Sequence, residues 1–287
     1  MARISISGIS IEYELLGKPG APAIALTPGG RFPKESPGLP ELAQALAAGG
    51  RRVLLWDRPN CGGSDICFDT DTESALQGRT LTQLIRALDL GPTALAGGSA
   101  GSRASLIAAA RDPEVVSHLV LLWISGGALS LISLAYYYCV DQAMAASKGG
   151  MAAVAALPSW AEQIRRNPSN RDIILAQDPE RFIETMERWA MSYMPSRTSP
   201  VPGMSAEDFA RLRMPTLIYR SGKSDLSHTR RTSEWVHELM PHSQLIDPPW
   251  PDNEWNIRSE YARTHGGAGH FAGWPAIAPA ILDFTSR

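Results

Sequence analysis

Short apolar runs alternate with helical spacings through the first 125 residues, and this alternation restricts the chain more than any other feature. PAIALT (22–27), RRVLLWD (51–57), the run at 93–97 and the run at 118–124 are too short for helices. They are also too continuously apolar for half-exposed strands, so they read as buried strands. Between them lie helical patterns. One covers 39–48 and ends at Gly49-Gly50. A second covers 73–90, with Leu76, Leu81, Leu84, Ile85 and Leu88 on one face, and stops at Gly91-Pro92. A third covers 100–111 and stops before Pro113. Ahead of them, ISISG and ISIEYEL alternate residue by residue and form a hairpin around Gly8. Strand–helix alternation predicts an α/β fold: a doubly wound, mostly parallel β-sheet with helices on both faces.

The alternation lapses between about 125 and 214, where only helical patterns occur, and it resumes with TLIYRSG (216–222). A helix over 229–240, the strand SQLID (243–247), a polar loop and a last helix over 275–286 follow. The predicted organisation is therefore a core of residues 1–125 and 215–287, with a helical cap of residues 126–214 inserted after the sixth strand. The 287 residues suffice for one such domain with its insertion, and 44% hydrophobic residues suffice for its core. A net charge of −2 without a basic block argues against nucleic acid as a partner. Residues 119–140 carry no charge and are long enough to span a bilayer. Gly126-Gly127 and several serines interrupt them, so a strand, a turn and an apolar helix are expected, with no stable membrane insertion. The N-terminus lacks the basic and apolar regions of a signal peptide. The odd count of three cysteines, none in a CxxC pair, fits a reduced cytoplasm.

The chemistry concentrates at Gly97-Gly98-Ser99-Ala100-Gly101, where a strand turns into a helix. This is G-x-S-x-G, the nucleophile elbow. Such a serine sits at positive φ, which is costly for a non-glycine residue, and its hydroxyl then projects from the sheet. The residues two before and two after must be small because strand and helix nearly touch. The amide of Ala100, at the helix start, points to where an oxyanion forms. No H-E-x-x-H, no carboxylate–histidine cluster and no GxxxxGK[ST] occurs, so no metal and no nucleotide cofactor is implied. Arg103 reads as a member of a structural ion pair.

On these motifs the chain resembles the α/β-hydrolase-fold superfamily, and within it the capped serine hydrolases. The resemblance rests on TPGG after the third strand, WDRPNCGGSD after the fourth, GGSAG after the fifth, an aspartate after TLIYRSG, and GGAGHF before the last helix. It implies a triad in the order serine, acid, histidine, which maps onto Ser99, Asp225 and His270, with Asp247 and His265 as fallbacks. His118, His228, His237 and His242 read as surface or strand-end residues. The second oxyanion donor comes from the loop after the third strand. There this chain has Pro28 in place of the usual histidine, and Gly30 or Arg31 is the candidate donor beside Ala100. Trp123, Phe271, Tyr137, Trp160 and Trp189 are candidate pocket residues, joined by Trp250 and Trp255. The alternative is that the aromatics of the insertion build the lid's own core.

The resemblance implies hydrolysis through an acyl-enzyme, acting on an ester, lactone or related bond of an apolar or aromatic small molecule. Carbon–carbon bond hydrolysis of ring-cleavage products by the same triad is the alternative. A low-turnover small-molecule receptor is a reading from another class, and the apolar helix after residue 128 leaves a homodimer open.

Overall fold

The computed structural model describes residues 1–266 and 269–287. The chain builds one eight-stranded sheet in the order β1-β2-β4-β3-β5-β6-β7-β8. β1 (Ala2–Ile6) and β2 (Ile9–Leu16) form the expected antiparallel hairpin. Ser7 and Gly8 both take positive φ in its turn, the twist that a two-residue hairpin loop favours. β2 pairs antiparallel with β4 (Arg52–Trp56). From there on β3 (Ala23–Thr27), β5 (Thr93–Gly98), β6 (Val116–Leu122), β7 (Thr216–Tyr219) and β8 (Gln244–Ile246) run parallel.

Every residue of β3 and β5 is buried, as strands covered on both faces must be. Successive side chains feed opposite cores. Leu95 joins Leu76, Leu81 and Leu84 of α2 (Glu73–Ala87) and Leu106 of α3 (Ala100–Arg111) on one face. Its neighbours Ala94 and Ala96 pack with Leu42 and Leu46 of α1 (Leu39–Ala48) on the other.

Between β6 and β7 the chain is helical, as expected. α4 (Ala128–Ala135) continues through a π-helical turn (Tyr136–Val140) into α5 (Asp141–Ala155), which is kinked at Gly149-Gly150. α6 (Pro158–Arg166), α7 (Ser169–Leu175), α8 (Pro179–Ser192) and α9 (Ala206–Arg211) follow. This insertion has its own core of Trp160, Phe182, Met186 and Trp189, into which Ile66 and Phe68 reach from the loop after β4. Phe68 meets Trp160 and Phe182 edge-on, at centroid distances of 5.7 and 5.0 Å. Buried Asn170 locks the same loop: its Oδ1 accepts from Ile66 N at 2.9 Å and its Nδ2 donates to Ser64 O at 3.0 Å. Among the described residues no helix is long and apolar enough to cross a membrane.

The segment after β8 differs from the expected polar loop. Following α10 (Arg230–Leu239) and β8, α11 (Glu254–Thr264) folds there. Only Glu254 and Ala262 of that helix are buried, so it has almost no apolar periodicity to read. The last helix opens as a 3₁₀ turn (Trp274–Ile277) before α12 (Ala278–Phe284).

Candidate active site

β5 ends at Gly98 and α3 begins at Ala100, which leaves Ser99 alone on the bend with φ 55° and ψ −117°. Its amide donates to Leu122 O at 3.1 Å and Trp123 O at 3.0 Å. Ser102 Oγ ties Gly97 O (2.7 Å) and Leu122 O (2.8 Å) beneath it. The bend holds its geometry because its neighbours lack side chains. A Cβ on Gly97 would lie 2.5 Å from Gly101 O, and one on Gly101 would lie 2.0 Å from Thr27 O. A Cβ on Gly29 would lie 2.6 Å from Ser99 Cβ. Gly101→Ala is therefore expected to destabilise the fold by at least about 3 kcal/mol, since the clash is with backbone rather than with a flexible side-chain end. Chemical denaturation measures it, and a change within 0.5 kcal/mol, the range of about a neutral surface substitution, would contradict this packing.

The Ser99 hydroxyl lies 2.9 Å from His228 Nε2, and His228 Nδ1 lies 3.0 Å from Asp225 Oδ2. The histidine and the aspartate are both buried. Asp225 Oδ1 accepts the amides of Ser227 and His228, each at 2.9 Å, so the carboxylate is clamped by the turn that carries the histidine. An acceptor-only carboxylate puts the ring proton on Nδ1 and leaves Nε2 to accept from Ser99. The imidazole meets Trp255 edge-on at 4.5 Å and stacks over Trp123 at 6.1 Å. Ser125 Oγ, fully buried, sits 3.0 Å from Ser99 Oγ as a second hydroxyl on the same oxygen.

The structure thus brings Ser99 and Asp225 together through His228, whereas the sequence reading places His270 between them. His270 lines the same cavity as Ser99, with its ring 4.8 Å from Phe32 and 5.4 Å from Trp255. The position facing the hydroxyl and the carboxylate together is taken by His228. Gly267 and Ala268 of the GGAGHF motif lie outside the described residues. His228 directly precedes Thr229, the N-cap of α10, and so reads in sequence as a helix-edge residue. The spacing Asp225-x-x-His228 is the signal that could have found it, because a turn entering a helix brings residues three apart to one side. His265 stacks on Tyr261 and is exposed; Asp247 pairs with Arg220.

A cavity of about 460 Å³ opens over Ser99. Trp123, Phe271 and Tyr137 line it, as do Gly29, Gly30 and Ala100. Trp160 and Trp189 do not belong to its wall: both are buried in the core of the insertion, whose apolar side chains cover their indoles. Among the oxyanion candidates, Gly30 takes φ 51° beside Phe32. Arg58, fully buried, donates to Gly29 O at 3.1 Å and Gly30 O at 2.7 Å and so pins this loop. The Arg31 side chain turns away into a neighbouring cleft, where it stacks on Trp160 at 3.7 Å and pairs with Glu73 at 3.4 Å. Burial, the largest influence, lowers its pKa, but the Glu73 carboxylate and neighbouring ionisable groups together leave it raised.

Other chemistry is weakly supported. Burial pushes the Cys61 thiol up to about 11 and Cys139 up to about 12, so neither is a thiolate at neutral pH. The carboxylates of Glu12, Glu35 and Asp57 cluster with metal-like spacing, but the Lys34 ammonium bridges all three.

Residues 32–165 match the family model of the α/β hydrolase fold. A 2-hydroxy-6-oxononadienedioate/2-hydroxy-6-oxononatrienedioate hydrolase of Escherichia coli K12 is 34% identical over 88 residues. That match covers 31% of this chain and 31% of the relative, about a third of the length of the curated proteins it resembles. In three dimensions the chain is similar to a hydrolase from Pseudomonas aeruginosa PA01 (20% identity, TM-score 0.62, covering 100% of this chain and 98% of the other). It is similar too to the enol-lactonase from Burkholderia xenovorans LB400 (17% identity, TM-score 0.60, 100% of both chains). At these identities the structural likeness speaks for the fold.

Proposed function

Because the chain belongs to the α/β-hydrolase-fold superfamily, we propose that it is a serine hydrolase working through an acyl-enzyme, with Ser99 as nucleophile, His228 as general base and Asp225 as the carboxylate that orients it. The observation that carries this reading is the continuous relay from Ser99 Oγ through the two ring nitrogens of His228 to Asp225. A serine hydroxyl needs a base within hydrogen-bond reach, and here one stands at 2.9 Å.

Ser99 Oγ attacks the substrate carbonyl and its proton passes to His228 Nε2. Asp225 stabilises the imidazolium that results. The carbonyl oxygen, now negative, is held by the Ala100 amide and by a donor from the Gly29–Arg31 loop, for which Gly30 is the first candidate. As the tetrahedral intermediate collapses, the bond to the leaving group breaks and His228 returns the proton to the departing atom. Water then attacks the acyl-serine and gives a proton to His228; as the acyl–oxygen bond breaks, His228 returns that proton to Ser99 Oγ, which releases the acid and free Ser99.

Residues 126–214 act as a cap over a core formed by residues 1–125 and 215–287. The cap contributes Tyr137 and Tyr138 to a cavity whose opposite wall is Trp123 and Phe271. The aromatic side chains in this wall favour an apolar or aromatic small molecule carrying an ester, lactone or related bond. The buried or half-buried free thiols suit a reducing cytoplasm. Carbon–carbon bond hydrolysis is a second reading, favoured by the similarity to the Escherichia coli hydrolase of a dienedioate. Incubation with an activated fluorophosphonate tests the nucleophile. Ser99 is expected to be the labelled residue by peptide mass spectrometry, and labelling elsewhere would refute the reading. Aryl ester turnover set against bleaching of a ring-cleavage dienone decides between the two bond types.

A further inference from the structure

Arg103 sits one turn into α3, and its amide donates back to Ser99 O at 3.3 Å. Arg103 lines the cavity over Ser99 yet is only 2% exposed. Sequence reading expects it in a structural ion pair, but among the described residues no carboxylate pairs with it. Nε donates to Ser74 Oγ at 3.3 Å and Nη2 to the Tyr193 hydroxyl at 3.4 Å, while Nη1 is buried without a partner.

The buried carboxylate in this region, that of Glu73, is engaged by other groups. Glu73 Oε1 is already shared by Arg31 Nη2 and Asn60 Nδ2. Arg58, also buried, meets only the neutral acceptors Gln77 Oε1, Gly29 O and Gly30 O. Burial pushes the Tyr138 and Tyr193 phenols up, which keeps both neutral. Among the described residues, the one ion pair made by the three buried guanidinium groups of Arg31, Arg58 and Arg103 is therefore that of Arg31 with Glu73. A buried charge without a partner is costly, and proteins pair such charges or use them.

We propose that Arg103 is a specificity-determining anchor for a carboxylate on the substrate, so that this cavity takes small acids with an apolar or aromatic body. A guanidinium fork matches a planar carboxylate in two hydrogen bonds, whereas a neutral amide has no charge to offer it. The inference rests on the serine hydrolase reading for its location, but its binding test does not require turnover.

Benzoate and benzamide have nearly the same shape and differ in charge. Titration calorimetry on the unmodified protein is expected to show benzoate binding at least roughly tenfold tighter, the size of one charge-assisted hydrogen bond in a dry site. Arg103→Gln should remove that difference, and Arg103→Lys should keep part of it. Benzoate should also slow fluorophosphonate labelling of Ser99, which locates the bound anion. Equal binding of the two ligands by the unmodified protein, an undiminished preference in Arg103→Gln, or binding without protection of Ser99 would each overturn the proposal. Where Arg103→Gln does not fold, the comparison of the two ligands on the unmodified protein and on Arg103→Lys decides it. Failure of Ser99 to react with the fluorophosphonate under any condition is a different result: it removes the hydrolase reading, and the calorimetric preference still judges Arg103.

Discussion

Ser99→Ala is expected to lower aryl ester hydrolysis by roughly 10³ or more, with the melting transition nearly unchanged. The substitution removes only one oxygen. Alanine and serine pay a similar penalty at φ 55°, so the strain of the elbow stays the same. What is lost is the atom 2.9 Å from His228 Nε2 and 3.0 Å from Ser125 Oγ. Without it no acyl-enzyme forms, and the residual rate is that of water in a site that still binds and polarises the carbonyl. Steady-state hydrolysis of a 4-nitrophenyl ester, with circular dichroism as the check on folding, measures the effect. Turnover within tenfold of the unmodified protein would end the nucleophile assignment.

His228→Ala should be of similar size, roughly 10³–10⁴ in kcat, whereas His270→Ala should change kcat by less than tenfold. The contrast follows from geometry. His228 touches both the hydroxyl and the carboxylate, at 2.9 and 3.0 Å. His270 stands in the aromatic wall against Phe32 and Trp255, so its loss should act mainly on KM through the shape of the cavity. Kinetics of both variants on one substrate series provide the test. The reverse pattern, a silent His228→Ala and a dead His270→Ala, would mean that the base comes from the loop before the last helix after all.

Much of the protein is legible without coordinates because the signals are local. β3 and β5 are continuous apolar runs because both faces are covered, and α1 ends where Gly49 ends its pattern. α11 shows the opposite case: with two buried residues it rides on the surface and leaves no periodic trace. The elbow is legible for a steric reason, since backbone oxygens stand 2.5 and 2.0 Å from where a Cβ on Gly97 or Gly101 would lie, closer than a side chain tolerates.

The sequence by itself therefore determined the strand–helix order, the helical stretch between the sixth and seventh strands and the serine on its glycine-flanked bend, all of which depend on neighbours along the chain. Only the tertiary structure decided which of six histidines meets that serine, that Trp160 and Trp189 pack inside the insertion, and that Arg103 has no counter-ion among the described residues. Those are relations between residues as far as 129 positions apart. A histidine or an arginine has the same composition and local pattern whether its partner is present or missing, and the partner is what gives it a role.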